Sequence, residues 1–209
     1  MVIRAAQLLV RMARPEDAEI IRDLQVLSLK VLAAKDYSPP QMAALLCSKQ
    51  SVRGWDELHF IAELGGMIVG VAALSRQGPW INALFVHPEF TRQGIARRLM
   101  EAVEEEAIRR GDRSLEVVAS LTGEPFYTKV GFEFIGPTMI EIEGDSQTSI
   151  PCVRMRKLLW EAWRGETHPE RPGYQDNTLG ETAIHVIGMV LAAALLVGLG
   201  QLLALLFEL

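Results

Sequence analysis

The sequence predicts a mixed α/β domain whose sheet starts antiparallel. Three observations carry that expectation: strand-like and helix-like patterns alternate over residues 1–160, a Gly65-Gly66 pair separates two apolar runs, and a long helical period ends at Gly111. A β-run at Leu8–Met12 comes first, followed by a helix that starts at Pro15-Glu16-Asp17 and puts Ile20, Ile21 and Leu24 on one face. A second helix follows Ser38-Pro39-Pro40, with Met42, Leu45 and Leu46 as its apolar positions. Leu58–Leu64 and Met67–Leu74 then form a hairpin about the glycine pair, and a third strand runs from Trp80 to Val86. Beyond it the pattern predicts a long helix from about Arg92 to Arg110, a strand at Ser114–Ala119, a short helix near Glu124–Val130, and two final strands around Phe132–Ile142 and Ile150–Leu158.

Composition narrows the function classes. The chain has 209 residues with 21 Lys+Arg against 26 Asp+Glu, a net charge of −5, so it lacks the basic footprint of a nucleic-acid binder. Its two cysteines, Cys47 and Cys152, lie far apart and form no metal-spaced cluster; neither a disulfide framework nor a metal is expected. The mean hydropathy of +0.17 is high for an ordinary globular chain.

The tail accounts for it. Residues 183–207 read AIHVIGMVLAAALLVGLGQLLALLF, without a charge. About 20 such residues cross a hydrocarbon core as a helix, so this stretch is expected to be a transmembrane anchor, with an apolar helix in an oligomer interface as the alternative. Gly188 and Ala192, and Ala194 and Gly198, are four apart and would let two spans pack as a homodimer. Residues 161–182 are polar and carry Pro169 and Pro172, which predicts a linker, with Trp160 and Trp163 packing on the domain. The N-terminus lacks a signal-peptide pattern, and Arg164 and Arg171 precede the apolar stretch; both features predict a domain, residues 1–160, that stays in the cytoplasm on a single-pass C-terminal anchor.

The segment TRQGIARRLMEAVEEEAIRRG opens the long helix with a glycine and with Arg92, Arg97 and Arg98. Helix dipoles favour acids there, so the arginines are explained by an anion held on the free N–H groups of Gln93 to Ala96, and Gly94 lets a phosphate approach the backbone. Glu104, Glu105 and Glu106 read as a solvated face, with Glu105–Arg109 and Glu106–Arg110 as i,i+4 pairs.

Thr91-Arg92-Gln93-Gly94-Ile95-Ala96 after the strand ALFVHPEF, and Phe126-Tyr127-Thr128-Lys129-Val130-Gly131-Phe132 further on, resemble two motifs of the GNAT superfamily of acyl-CoA-dependent N-acetyltransferases. Thr91 departs from the Arg or Gln usual at the loop's first position. The resemblance spans about residues 7–159 and implies a mostly antiparallel central sheet flanked by helices, with acetyl-CoA as co-substrate. It further implies that Arg92, Gln93, Gly94, Ile95, Ala96 and Arg97 hold the diphosphate. By the same resemblance, backbone groups of Leu84, Phe85 and Val86 take the pantetheine arm on a splayed strand, one N–H polarising the thioester carbonyl. Tyr127 would protonate the departing thiolate. Asp36 and Tyr37, in the KDYSPP loop, resemble the acceptor side, with Tyr37 touching substrate.

The general base stays open. Asn82 stands on the central strand where some relatives carry a glutamate, and an amide cannot take a proton; Glu57, His59, Glu63 and Glu124 remain as candidates. His87, before Pro88, is read as structural. Cys47 and Cys152 are not expected to act as nucleophiles. The expected activity is acetyl transfer to a primary amine, small molecule or peptide, by direct attack in a ternary complex. The chain's acidity favours cationic acceptors. An anchored acyl-CoA-binding scaffold without catalysis is the alternative.

Overall fold

The computed structural model describes residues 7–47, 57–142 and 145–159. Seven strands form one sheet in the order β1-β2-β3-β4-β5-β7-β6. They are β1 (Leu8–Met12), β2 (Glu57–Leu64), β3 (Met67–Ser75), β4 (Trp80–Val86), β5 (Ser114–Ser120), β6 (Glu133–Ile142) and β7 (Asp145–Leu158), and every neighbouring pair is antiparallel except β4 with β5. Four α-helices accompany them: α1 (Ala18–Ser28), α2 (Pro39–Cys47), α3 (Ile95–Arg110) and α4 (Glu124–Lys129).

Local chemistry explains the meander. Gly65 and Gly66 both have positive φ, 59° and 87°, the pair of left-handed residues a two-residue turn needs to match the twist of its strands. The third strand of the meander, β4, has the bounds the sequence pattern gives it. β3 is buried along nearly its whole length, since α1 covers one face of the sheet and α3 the other.

The two faces have separate cores. On the α3 side, Ile95, Leu99, Met100, Val103 and Ala107 pack against Phe60, Ala62, Val69, Ala72, Leu74 and the inward residues of β5. Each buried Leu, Val or Met contributes about 1.5–3 kcal/mol by leaving water. Gly70 makes this packing tight: an added Cβ would stand 2.9 Å from Ile95 Cγ2 and 2.9 Å from Leu99 Cδ1. On the other side Ile21 and Leu24 of α1 meet Ile61, Ile68 and Val71, and beyond them Ala33, Tyr37 and Ala44 meet Ile150 and Cys152. Ile20, expected inward, is half exposed; the inward positions of α1 are Ile21, Leu24, Gln25 and Ser28. The chain continues from α1 into a π-turn, Leu29–Ala33, which has no sequence signature.

Three side-chain pairings differ from expectation. Arg109 pairs with Glu106 at 2.6 Å, not with Glu105. Arg110 turns to Asp112 and to the carbonyls of Ser75 and Gly78, clamping the β3–β4 turn, because the chain reverses at Gly111 within its reach. Glu104 leaves the solvated face to pair with Lys157 of β7 at 2.6 Å. Among the described residues no helix is long and apolar enough to cross a membrane. The expected linker 161–182 and span 183–207, with Trp160 and Trp163, lie outside the described residues.

Candidate active site

A gap in the sheet organises the site. β4 and β5 run parallel and pair only at Trp80 with Glu116 and Ile81 with Val117; from Asn82 onward the two strands part. On its other side β4 stays bonded to β3, with Ala73 opposite Ala83 and Leu74 opposite Ile81, so Asn82 is the extra residue of a β-bulge. Leu84 and Val86 pack into the α3-side core and Phe85 into the α1-side core. Their side chains fix the strand, and the edge that turns from β3 presents main-chain groups to the gap. An extended ligand arm can bond such an edge as an added strand does.

The loop after β4 ends at an uncapped helix. His87 accepts the Glu89 N–H on Nδ1 and packs edge-on against Phe90, a structural role. Thr91 donates its hydroxyl to the Pro88 carbonyl. Arg92 (φ 64°) and Gly94 (φ 83°) are both left-handed, which delays the helix to Ile95, three residues after the expected start. The first turn carries no acidic residue and no side-chain cap, and the Arg98 N–H to Gly94 carbonyl bond is the first of the helical ladder. The N–H groups of Ile95, Ala96 and Arg97 therefore point out of the helix at its positive end. A Cβ built on Gly94 would meet nothing within 4 Å, so the backbone there is open to a ligand. Arg92, Gln93 and Arg97 are exposed around it, while Arg98 pairs with Glu101 at 2.9 Å. Backbone donors, an open backbone and guanidinium groups fit the diphosphate of a coenzyme A thioester.

Tyr127 lies beyond the end of β5. α4 follows Gly123, whose N–H bonds the Ser120 carbonyl and Oγ, and an added Cβ there would meet the Tyr127 ring at 3.5 Å. The ring is buried, edge-on to Phe126 and Phe132 at 5.5 and 5.2 Å. The 36–37 segment is stitched to the same turn. The Thr122 hydroxyl donates to the Asp36 carboxylate, and Tyr37 accepts the Leu121 N–H at 3.0 Å while donating to the Pro151 carbonyl at 3.2 Å. Tyr37 is 6% exposed, and its hydroxyl is committed to the main chain. Burial pushes its phenol up to about 12 and the neighbouring Cys152 thiol up to about 11.

The four candidate bases separate. Glu63 is held by Arg11 at 3.1 Å, and the same guanidinium holds Asp17 at 2.8 Å. That hydrogen bond keeps the Asp17 carboxyl below the usual carboxylate range. Glu124 sits in the first turn of α4. Glu57 and His59 come together: one Glu57 oxygen accepts the Asn82 amide at 2.5 Å, and the other lies 3.6 Å from His59 Nε2. Polar residues at alternating positions of an otherwise apolar strand were the available signal; the contact of Glu57 with Asn82 depends on pairing through β3 and was not. Among the described residues no group of three or more His, Cys, Asp or Glu side chains is placed to hold a metal ion.

This geometry has known counterparts. Residues 33–159 match the family described as Acetyltransferase (GNAT) domain. The uncharacterized N-acetyltransferase YafP of Escherichia coli K12 is 28% identical over 138 residues, 65% of this chain and 87% of that protein. A GCN5-related N-acetyltransferase structure from Rhodopseudomonas palustris aligns at a TM-score of 0.66 with 30% identity, over 76% of this chain and 98% of its own. The PaiA N-acetyltransferase of Thermoplasma acidophilum, solved in complex with coenzyme A, shares the fold at 0.56 and 20% identity, over 73% of this chain and 99% of its own. The parted strands, the uncapped α3 and the matching sequence thus have one explanation: the chain belongs to the GNAT acetyltransferase family, and it is an acyltransferase.

Proposed function

We propose that this acyltransferase moves an acetyl group from acetyl-CoA to a primary amine by direct attack in a ternary complex, on a domain tethered to a membrane by residues 183–207. The observation that carries the catalytic half is the meeting, within one sheet, of a β4 edge without a β5 partner and an uncapped helix N-terminus. The N–H groups of Ile95, Ala96 and Arg97, with Arg92, Gln93 and the backbone of Gly94, would hold the diphosphate. Main-chain groups of Leu84, Phe85 and Val86 would orient the arm in the gap. When bound, acetyl-CoA supplies an acetyl group already activated as a thioester. Tyr127 would carry on Oη the proton that the leaving sulfur needs; a phenol of ordinary pKa about 10 suits that transfer. Tyr37 would act on the acceptor side by holding its loop to the turn that precedes α4. The coenzyme A held by the Thermoplasma protein on a similar fold supports the choice of donor.

The test is thiol release from acetyl-CoA by the full chain across amines and peptides. Release with one acceptor class supports the enzyme and identifies that class. Acetyl-CoA binding with silence throughout would favour the anchored scaffold. The tether rests on the uncharged run at 183–207. Retention in membranes after carbonate extraction supports it, and full release refutes it.

A further inference from the structure

The sheet face that leads to the gap carries a charge pattern that selects an acceptor. We infer that Arg154 and Arg156 bind an anionic group of the acceptor, so that the substrate class is an amine that also carries a carboxylate, of amino-acid size; the assignment rests on the acetyl-transfer reading. Val117 and Ala119 of β5, Val153 and Met155 of β7, and Tyr127 all belong to the core under α3. The residues that alternate with them in the two strands, Glu116, Val118, Arg154 and Arg156, therefore face the other side of the sheet, which is left for the nucleophile. On that side α1 packs over Ile61, Ile68 and Val71, and Tyr37 and Ala44 pack on Ile150 and Cys152. Val118 stays 38% exposed. It follows Val117, the last β5 residue paired with β4, so the open face lies at the mouth of the gap.

Two guanidinium groups share one acid there. In the β5–β7 register Arg154 stands opposite Val118 and Arg156 opposite Glu116. Arg154 Nε and Nη2 donate to Glu116 Oε2 at 3.1 and 2.7 Å, and Arg156 Nη2 donates to Oε1 at 2.9 Å. Both oxygens are thereby taken, and the Glu116 side chain is 10% exposed against 27% for Arg154 and 34% for Arg156. An incoming molecule meets guanidinium rather than carboxylate. Among the described residues neither Nη1 group has an acceptor, and a carboxylate fits such a group. Arg154 also reaches across β5: its guanidinium carbon lies 5.4 Å from the centre of the Trp80 ring on β4. Trp80 is two residues from Asn82, where the gap opens, or about 7 Å along the strand. An amine at the gap and an anion on Arg154 are thus separated by the length of a short amino acid.

The neighbouring acids do not reverse the sign. Glu133 of β6 stands opposite Arg156, which turns from it to Glu116. β6 is three strands from β4, about 14 Å, beyond a Debye length of about 8 Å at physiological salt. Glu57 is taken up by Asn82 and His59, and Asp36 accepts the Thr122 hydroxyl. The net charge of −5 acts on an acceptor at a distance, whereas its final position is set by the two arginines.

The test is thiol release from acetyl-CoA by the full-length chain with acceptors that differ in the anion alone: α-amino acids, β-alanine and γ-aminobutyrate, each against its carboxamide. For the acceptor used best, kcat/KM for the carboxylate is expected to exceed that for its amide by about tenfold or more. In Arg154→Gln, where Arg156 still holds Glu116, kcat/KM for the carboxylate should fall about 10- to 150-fold, the loss of one charged hydrogen bond. The amide should stay within threefold of wild type, at an unchanged acetyl-CoA Kd by calorimetry. Arg154→Lys, which keeps the charge without the planar fork, should fall between the two. Amides used as well as carboxylates by the wild type overturn the assignment, as does an Arg154→Gln loss equal for both members of a pair, or turnover confined to amines without an anion. If thermal melts show Arg154→Gln unfolded at the assay temperature, the wild-type preference and Arg154→Lys decide. A wild-type chain that binds acetyl-CoA and acetylates no amine of any class overturns the acetyl-transfer reading, and the substrate class with it.

Discussion

Replacing Gly94 by alanine separates backbone strain from ligand exclusion, because Gly66 supplies a matched control. Gly94 has φ 83° and Gly66 φ 87°, and a Cβ at either would meet nothing within 4 Å. Forcing an L-residue into that region costs about 1–2 kcal/mol. Both variants should therefore lose the same stability, about 2–8 °C in Tm for a domain of this size. Only Gly94 lies at the mouth of α3, between Arg92 and the N–H groups of Ile95 to Arg97. There the methyl group would hold an anion off the backbone. Loss of one charged hydrogen bond, about 1.5–3 kcal/mol, corresponds to roughly a 10- to 150-fold weaker Kd. Calorimetric titration of acetyl-CoA, with thermal melts of both variants, decides the matter. Equal affinities for Gly94→Ala and Gly66→Ala would refute the placement of the diphosphate.

Further outcomes follow from other contacts. Gly70→Ala puts a methyl 2.9 Å from buried Ile95 and Leu99; overpacking of about 1–3 kcal/mol is expected in urea unfolding, with weaker acetyl-CoA binding as the start of α3 is displaced. Tyr127→Phe should lower turnover by about 10- to 1000-fold at unchanged acetyl-CoA affinity, and unaffected turnover would mean that water supplies the proton. Tyr37→Phe removes the acceptor of the Leu121 N–H and should cost about 1–3 kcal/mol at pH 8. The Tyr37 phenol titrates at about 12 in the fold and the Cys152 thiol at about 11, both raised. The stability they confer is whole below their unfolded values, about 10 and 8.5, and is lost as pH rises through the folded ones. Urea midpoints at pH 8 and 11 should accordingly differ more for wild type than for Tyr37→Phe.

What was readable from sequence was what is local. Leu8–Met12 and Trp80–Val86 are strands with the bounds their patterns give, since alternation and flanking prolines act within a few residues. The start of α3 was misjudged because Arg92, an ordinary residue, adopts a left-handed φ that no propensity announces. Ile20 fits the helical period yet lies outward: what α1 buries depends on the sheet beneath it. The divergence of β4 from β5 was reached through resemblance alone, since strand pairing is non-local and leaves no periodic trace. For the same reason Glu57 and His59 were two candidates among four, and only the register of three strands puts Glu57 beside Asn82.

The position of β7 bears on how the domain reaches its folded state. Among the described residues it is the last strand in sequence, yet it lies between β5 and β6. It also carries Arg154 and Arg156, which neutralise the buried Glu116 of β5. A polypeptide that stops before Asp145 leaves the β7-facing edges of β5 and β6 unpaired and a buried acid without its counter-ions. Incomplete chains thus offer two open edges of the kind that template aggregation. Completion of the sheet waits on residues far along the chain, a topology that slows folding and makes truncation an all-or-none defect rather than a graded loss of activity.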